Sequence, residues 1–421
     1  MKKHIRLLGL LLVLTLVAAA CGDDDGGDFT PGPLGAVIVE DGESIEIRTL
    51  LAISGDVAFL GVPSQRAVEL AVEDYGDIKG KSVSLGTAED DLCSNEGGQA
   101  GGQAIVAQEN VLGVIGTSCS GAAVAASPLI SDAGAVMISP SNTSPALTSD
   151  LQGNANESYH AGYYRTAHND LFQGEAAALF AYNELGVRSA AAIHDGDPYT
   201  QGLAAAFQNS FTELGGTVTT FTGVNKGDTD MTPVLTEVGA GSPELIFFPI
   251  FMPEGGFIVQ QIGTVPGLEN TLLMAADGLL VDNFMELPES EGIWFSGPDL
   301  QFGENKSATG VSATDFLATY EGRFGEAPSA AFWAHSYDAA VLLLSAIEEV
   351  GIEDGDDLII DRQALRDALT ATSGFDGITG TLGCDGFGDC GSQRISVVLH
   401  EDSSDVEVGK ANVVFSFAPE R

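Results

Sequence analysis

Basic residues are scarce in this chain: 17 Lys+Arg stand against 60 Asp+Glu, a formal net charge of −43 over 421 residues. A surface that negative repels phosphate backbones, which excludes nucleic acid as a partner. The acids run along the whole length, so they read as a solubility trait and not as one binding patch. Histidine is also sparse, and His4, His160, His168, His194, His335 and His400 show no spacing of metal ligands, so no metal is expected. Motifs of chemistry are missing too. There is no Walker lysine and no Gly-x-Gly-x-x-Gly, and Gly116-Thr-Ser-Cys-Ser-Gly121 lacks the spacing of a nucleophile elbow. Paired acids such as Glu89-Asp90-Asp91 and Asp195-Gly-Asp197 arise by chance in so acidic a chain and read as surface or capping groups. No enzyme signature survives, and no cofactor is implied.

What is present begins with an address. Lys2, Lys3 and Arg6 precede an apolar run, 7–17, that is too short to span a bilayer, and Ala18-Ala19-Ala20 leads into Cys21. This is an export signal over 1–20, and its end resembles the lipobox of bacterial lipoproteins, in which the thiol equivalent to Cys21 is acylated. Residues 21–44 then read as a flexible acidic linker. Outside the cytosol thiols tend to pair. Cys93 and Cys119 each stand beside an expected strand end, and Cys384 and Cys390 bracket a tight turn, so disulfides 93–119 and 384–390 are expected, with zinc as the competing reading.

From residue 45 the chain alternates β-rich runs with amphipathic segments. Strands are expected at 45–53, 82–86, 111–116, 135–139, 189–194, 217–222, 245–248, 272–276 and 292–296, with helices between nearly all of them. In the segment 63–75, Ala67, Leu70, Ala71 and Asp74 recur at three- and four-residue steps. Runs such as Val111-Leu-Gly-Val-Ile-Gly116 are apolar on both faces, as parallel strands covered by helices require. The fold class is therefore α/β, as doubly wound parallel sheets. A polar stretch at 149–158 interrupts the rhythm, which then restarts, and this divides the chain into two lobes. Helices are expected again at 313–324, 335–350 and 362–370, then strands at 377–382, 395–400 and 411–417, so crossover strands join the lobes. One lobe takes 45–163 plus 299–375, the other 164–298 plus 376–421. Gly97-Gly-Gln-Ala-Gly-Gly102 falls within a helical pattern, where close helix packing is its role.

Polar loops of small residues follow the strand ends, where open α/β sheets bind ligands: Ser54–Phe59, Thr117–Gly121, Ser139–Ser144, Asp195–Tyr199, Phe251–Glu254 and Asp277-Gly278. Their hydroxyls, with helix N-terminal amides, suit a carboxylate, though any one of them could be an ordinary helix cap.

In this order the loops resemble the type I periplasmic binding proteins, specifically the leucine/isoleucine/valine-binding branch of ABC transporter receptors. The resemblance spans roughly 45–370 and is carried by Glu89-Asp-Asp-Leu-Cys93, Cys119-Ser120, Met137-Ile-Ser-Pro-Ser-Asn-Thr-Ser-Pro-Ala-Leu-Thr148, Tyr164-Arg-Thr166 and Ile193-His-Asp-Gly-Asp-Pro-Tyr199-Thr-Gln-Gly202. It implies a disulfide between Cys93 and Cys119. It also implies that Ser120, Thr143 and the Ser141 backbone hold a ligand carboxylate, that Tyr199 and Phe251 lie over the ligand, that Phe59 closes the side-chain pocket, and that Asp277 faces an ammonium. Two departures stand out, Asp277 where leucine-binding members have Glu and Phe251 where they have Tyr.

The reading is a monomeric, lipid-anchored extracytoplasmic receptor, in the periplasm or on the cell surface. It closes on a small apolar amino acid, branched-chain by resemblance, and delivers it to an ABC permease. The membrane is met only through the anchor. The alternatives are the same fold binding a short amide, urea or an aromatic carboxylate, or a sensory receptor subunit.

Overall fold

The computed structural model describes residues 29–419, so the expected signal at 1–20, Cys21 and the first part of the linker lie outside the described residues. Among the described residues no helix is long and apolar enough to cross a membrane. Two mainly parallel sheets organise the rest. The first runs Val83–Ser84, Ile45–Leu51, Val111–Gly116, Val136–Ser139 and Tyr163–Arg165, with Glu89–Asp90 beside the far end of Ile45–Leu51. The second runs Val413–Phe417, Ile395–Leu399, Trp294–Pro298, Leu272–Ala276, Leu245–Phe247, Ser189–His194 and Thr217–Gly223, antiparallel only at its first two junctions.

Strand side chains alternate between faces, and each face meets its own helices. In the first sheet Ile115 and Ile138 pack against Ala67 and Leu343 from helices Ala58–Tyr75 and Trp333–Val350. Their neighbours Val114 and Met137 face Ile105 and Ile130 from helices Asn95–Val106 and Ser120–Asp132. The second sheet repeats the arrangement: Ile246 faces Leu235 and Ile258, whereas Leu245 and Phe247 face Ala177 and Phe207. The glycine-rich helix packs as expected, because a β-carbon at Gly98 would collide with the Ala122 carbonyl of the neighbouring helix.

Three expectations of organisation need correction. The linker does not extend to 44: Ala36–Val39 forms a strand antiparallel to Asp357–Asp361, burying Val37 and Val39 while Ile38 points outward. Tyr164 and Arg165, expected to open the second lobe, pair with Ile138 and Ser139 in the first sheet, because the backbone continues in register before it crosses. Ile378 and Cys390, also expected in the second lobe, belong to the first lobe's core. Cys93–Cys119 and Cys384–Cys390 are both bonded.

Where the chain first crosses, Arg165 is fully buried. Its guanidinium donates to the carbonyls of Asn142 (3.1 Å) and Ser144 (2.8 Å), to Thr148 Oγ1 (2.8 Å), and to the Asp389 carboxylate. Asp389 also accepts from Asn169 Nδ2 (3.1 Å) and Thr148 Oγ1 (3.2 Å). A buried pair broken on one side leaves an uncompensated charge, which costs about 3–5 kcal/mol. Arg165→Met is therefore expected to lower unfolding stability by about that amount in urea titration, and Arg165→Met/Asp389→Leu to lose less than the single variant.

Candidate functional site

The C-terminal ends of the strands in both sheets point toward one cleft. From the first lobe come Ser118-Cys119-Ser120, where Val111–Gly116 turns into helix Ser120–Asp132, and Ser141 after Val136–Ser139. From the second come Tyr199 at the start of helix Pro198–Glu213, Phe251 after Leu245–Phe247, and Asp277-Gly278 after Leu272–Ala276. These residues, with Leu60, Ala330, Ala331 and Phe332, line a cavity between the strand ends.

Helix Ser120–Asp132 has no side-chain cap, and its first residue, Ser120, stands at the cavity wall. Ser144 N donates to Ser120 Oγ at 3.4 Å. The Ser141 hydroxyl donates to Ser118 O (2.9 Å), and its amide donates to Ser139 Oγ at 3.2 Å. Behind this loop Asp91 is wholly buried, not a surface group as its sequence context implied. It accepts from Cys93 N (2.7 Å) and Ser118 N (2.6 Å), and burial outweighs those bonds to push its pKa up to about 7.

On the opposite wall the buried Asp277 accepts from Gln173 Nε2 (2.7 Å) and Tyr199 OH (3.1 Å). Burial raises its pKa to about 6, against the pull of those two bonds. The Tyr199 hydroxyl in turn accepts from Gly278 N at 3.0 Å. Gly278 is required by close approach, since a β-carbon there would lie 3.0 Å from Ile250 O and 3.1 Å from Tyr199 Cε1. The Tyr199 and Phe251 rings lie 5.2 Å apart.

Of the residues singled out in the sequence, Ser120, Ser141, Tyr199, Phe251 and Asp277 meet at this cavity. Phe59 does not line it: its place is taken by Leu60, because consecutive positions on a helix diverge by about 100°. Thr143 is fully buried outside the lining, where its carbonyl accepts from Asp170 N at 3.0 Å. Asp170 was missed. Its buried carboxyl lies beside the Thr143 hydroxyl, and neither group has a hydrogen bond of good geometry to a third partner. Burial, and then the Asp277 charge, raise the Asp170 pKa well above the carboxylate range. In sequence Asp170 is only an acid in the first turn of a helix, a common place for one. Ala330, Ala331 and Phe332 were missed as well, since they lie in a connecting segment without a strand-end signature.

The cavity thus has an apolar body between two polar walls. One wall carries hydroxyls and a helix N-terminus, which suit a negative group. The other carries a buried carboxylate, which suits a positive one.

Comparison with known proteins agrees with this layout. Residues 44–391 match the periplasmic binding protein family, a class that binds solutes outside the cytoplasm. A Leu/Ile/Val-binding protein homolog from Brucella melitensis is 27% identical over 364 residues, covering 85% of this chain and 92% of the relative. A leucine-, isoleucine-, valine-, threonine-, and alanine-binding protein from Pseudomonas aeruginosa is 26% identical, covering 87% and 92%. Among solved structures, a leucine binding protein from Thermotoga maritima superposes with a TM-score of 0.76 at 26% identity, covering 89% of this chain and 99% of that one. With more than half its length inside the family match and the cleft lying between two parallel-sheet lobes, this chain belongs to the periplasmic binding protein family.

Proposed function

We propose that the protein is the extracytoplasmic receptor of an ABC importer and closes on a small apolar amino acid of the branched-chain class. The observation that carries this reading is the pairing of Ser120 and Ser141 on one wall with Asp277 on the other, across a cavity whose lining includes the apolar Leu60, Phe251, Ala330, Ala331 and Phe332. An α-carboxylate fits the Ser120 and Ser141 side of the cavity, at the start of helix Ser120–Asp132. An α-ammonium fits Asp277, with Asp170 as a second carboxyl behind it. An aliphatic side chain fits the rest, beside Tyr199 and Phe251. The names of the relatives support the same ligand class.

Each lobe holds half the contacts, so ligand favours the closed state by its differential affinity. The protein performs no chemistry on its cargo, acts as a monomer, and hands the cargo to permease subunits. Cys21 carries the lipid anchor; the basic start, the short apolar run and the small residues before it support this. A neighbour of the same fold from Rhodopseudomonas palustris, 20% identical with a TM-score of 0.70, holds benzoate, so the fold alone does not choose the ligand. Asp277 favours a ligand that bears an ammonium.

Hydrogen bonds to a charged carboxylate contribute about 1.5–3 kcal/mol each. Ser120→Ala is expected to weaken leucine binding by about tenfold or more in isothermal titration. Unchanged affinity would remove Ser120 from the site.

Asp277→Asn keeps the shape and removes the charge, so it should cost about 2–5 kcal/mol of affinity for an amino acid and far less for a ligand without an ammonium. Near-wild-type leucine affinity in this variant would overturn the choice of amino acids.

The same carboxylate sets a pH dependence. An ammonium pairs only with ionised Asp277, so bound ligand lowers its pKa and binding releases a proton. Affinity is then fully present above the ligand-free pKa of about 6 and declines as pH falls through it. Leucine Kd measured from pH 8 to pH 5 should rise on the acid side, and Asp277→Asn should flatten the profile.

A further inference from the structure

The lobes meet at one place outside the cavity lining where charge crosses the cleft. Asp197, from the second lobe, caps helix Pro198–Glu213 through Oδ1 to Tyr199 N (3.0 Å). Its Oδ2 reaches across to the start of helix Ser120–Asp132 in the first lobe, close enough that a β-carbon at Gly121 would lie 2.5 Å from it. Asp197 is buried there, and burial raises its pKa, opposed first by the charge of Lys226. The Lys226 ammonium lies 3.3 Å from Asp197 Oδ2, 3.4 Å from the Cys93 carbonyl of the first lobe, and 5.8 Å from the centre of the Phe251 ring. The backbone after Lys226 is pinned to the second lobe by Gly227 N donating to Glu254 Oε1 at 2.5 Å, so only the side chain spans the gap.

We infer that Lys226 is a closure latch: it neutralises Asp197 in the closed state, where that carboxylate is pressed against the first lobe, and so sets how far the protein favours closing. The inference rests on the reading that the lobes close on a ligand. The physical argument is one of differential desolvation. With the lobes apart Asp197 regains water and needs no partner; with them together it is buried, and a buried carboxylate without a counter-charge is penalised. Removing the lysine thus acts on the closed state alone. The penalty comes from Asp197, so removing that charge as well relieves it. Asn is a good helix cap, so the Asp197→Asn change preserves the start of helix Pro198–Glu213. The carbonyl bond and the Phe251 contact are the smaller parts of the latch, because Lys226 is 45% exposed and water competes for it.

The test uses four proteins: wild type, Lys226→Met, Asp197→Asn and the double variant. Each is measured with and without leucine by small-angle scattering for the open-to-closed ratio and by titration for affinity. Lys226→Met should melt like wild type without ligand, shift the ratio toward open, and bind leucine about tenfold more weakly, the double variant returning to within about threefold of wild type. A Lys226→Met protein that closes and binds like wild type overturns the latch, as does a double variant no better than the single. If Lys226 governs closure but leucine leaves every ratio unchanged, the latch stands and the amino-acid reading falls.

Discussion

One buried guanidinium decides where the loop at residues 140–148 can sit. Arg165 holds the carbonyls of Asn142 and Ser144, one on each side of Thr143, and is held in turn by Asp389. Asp389 belongs to the returning segment that the Cys384–Cys390 bond closes into a small loop. The loop after Val136–Ser139 is therefore fastened from behind by a chain segment more than 200 residues away in sequence. A guanidinium suits this task because its planar fork presents several donors in fixed directions. Three of the four hydrogen bonds from this one side chain go to residues of the loop and the fourth to the returning segment.

Two other arginines of the first lobe act on the backbone in the same way. Arg362 donates to Glu109 O and Val111 O, and Arg366 donates to Ser131 O and Ala135 O, so each ties backbone carbonyls around a helix end or strand start. In a chain of such negative charge these arginines are spent inside, on backbone carbonyls. Four of the buried acids, Asp91, Asp170, Asp197 and Asp277, lie within or just behind the cleft, and burial raises the pKa of each. Of these, Asp170 and Asp277 form no ion pair among the described residues, a deficit that a cationic group entering from outside would relieve.

Much of the fold was legible because it depends on period. Strands such as Val111–Gly116 and Ser189–His194, and helices such as Ala313–Phe324 and Arg362–Thr370, fall where apolar spacing placed them. Ala36–Val39 and Asp357–Asp361 were not legible, because each is a short strand whose meaning comes from pairing with the other across more than 300 residues. The site divides in the same way. Ser120, Ser141, Tyr199, Phe251 and Asp277 sit at strand ends or helix starts, a local signature. Leu60, Asp170, Gln173 and Phe332 reach the cleft or the groups around it through long-range packing, which leaves no such mark.

The sequence by itself determined the fold class, the cysteine partners and the loops that meet at the cavity, because periodicity, segment order and strand-end position are properties of the chain alone. Only the tertiary structure decided which side of each loop faces the cavity, which acids lose their water, and which cation crosses between lobes. Those outcomes turn on distances of a few ångströms between residues far apart in sequence, and charge energies depend on the solvent that folding removes.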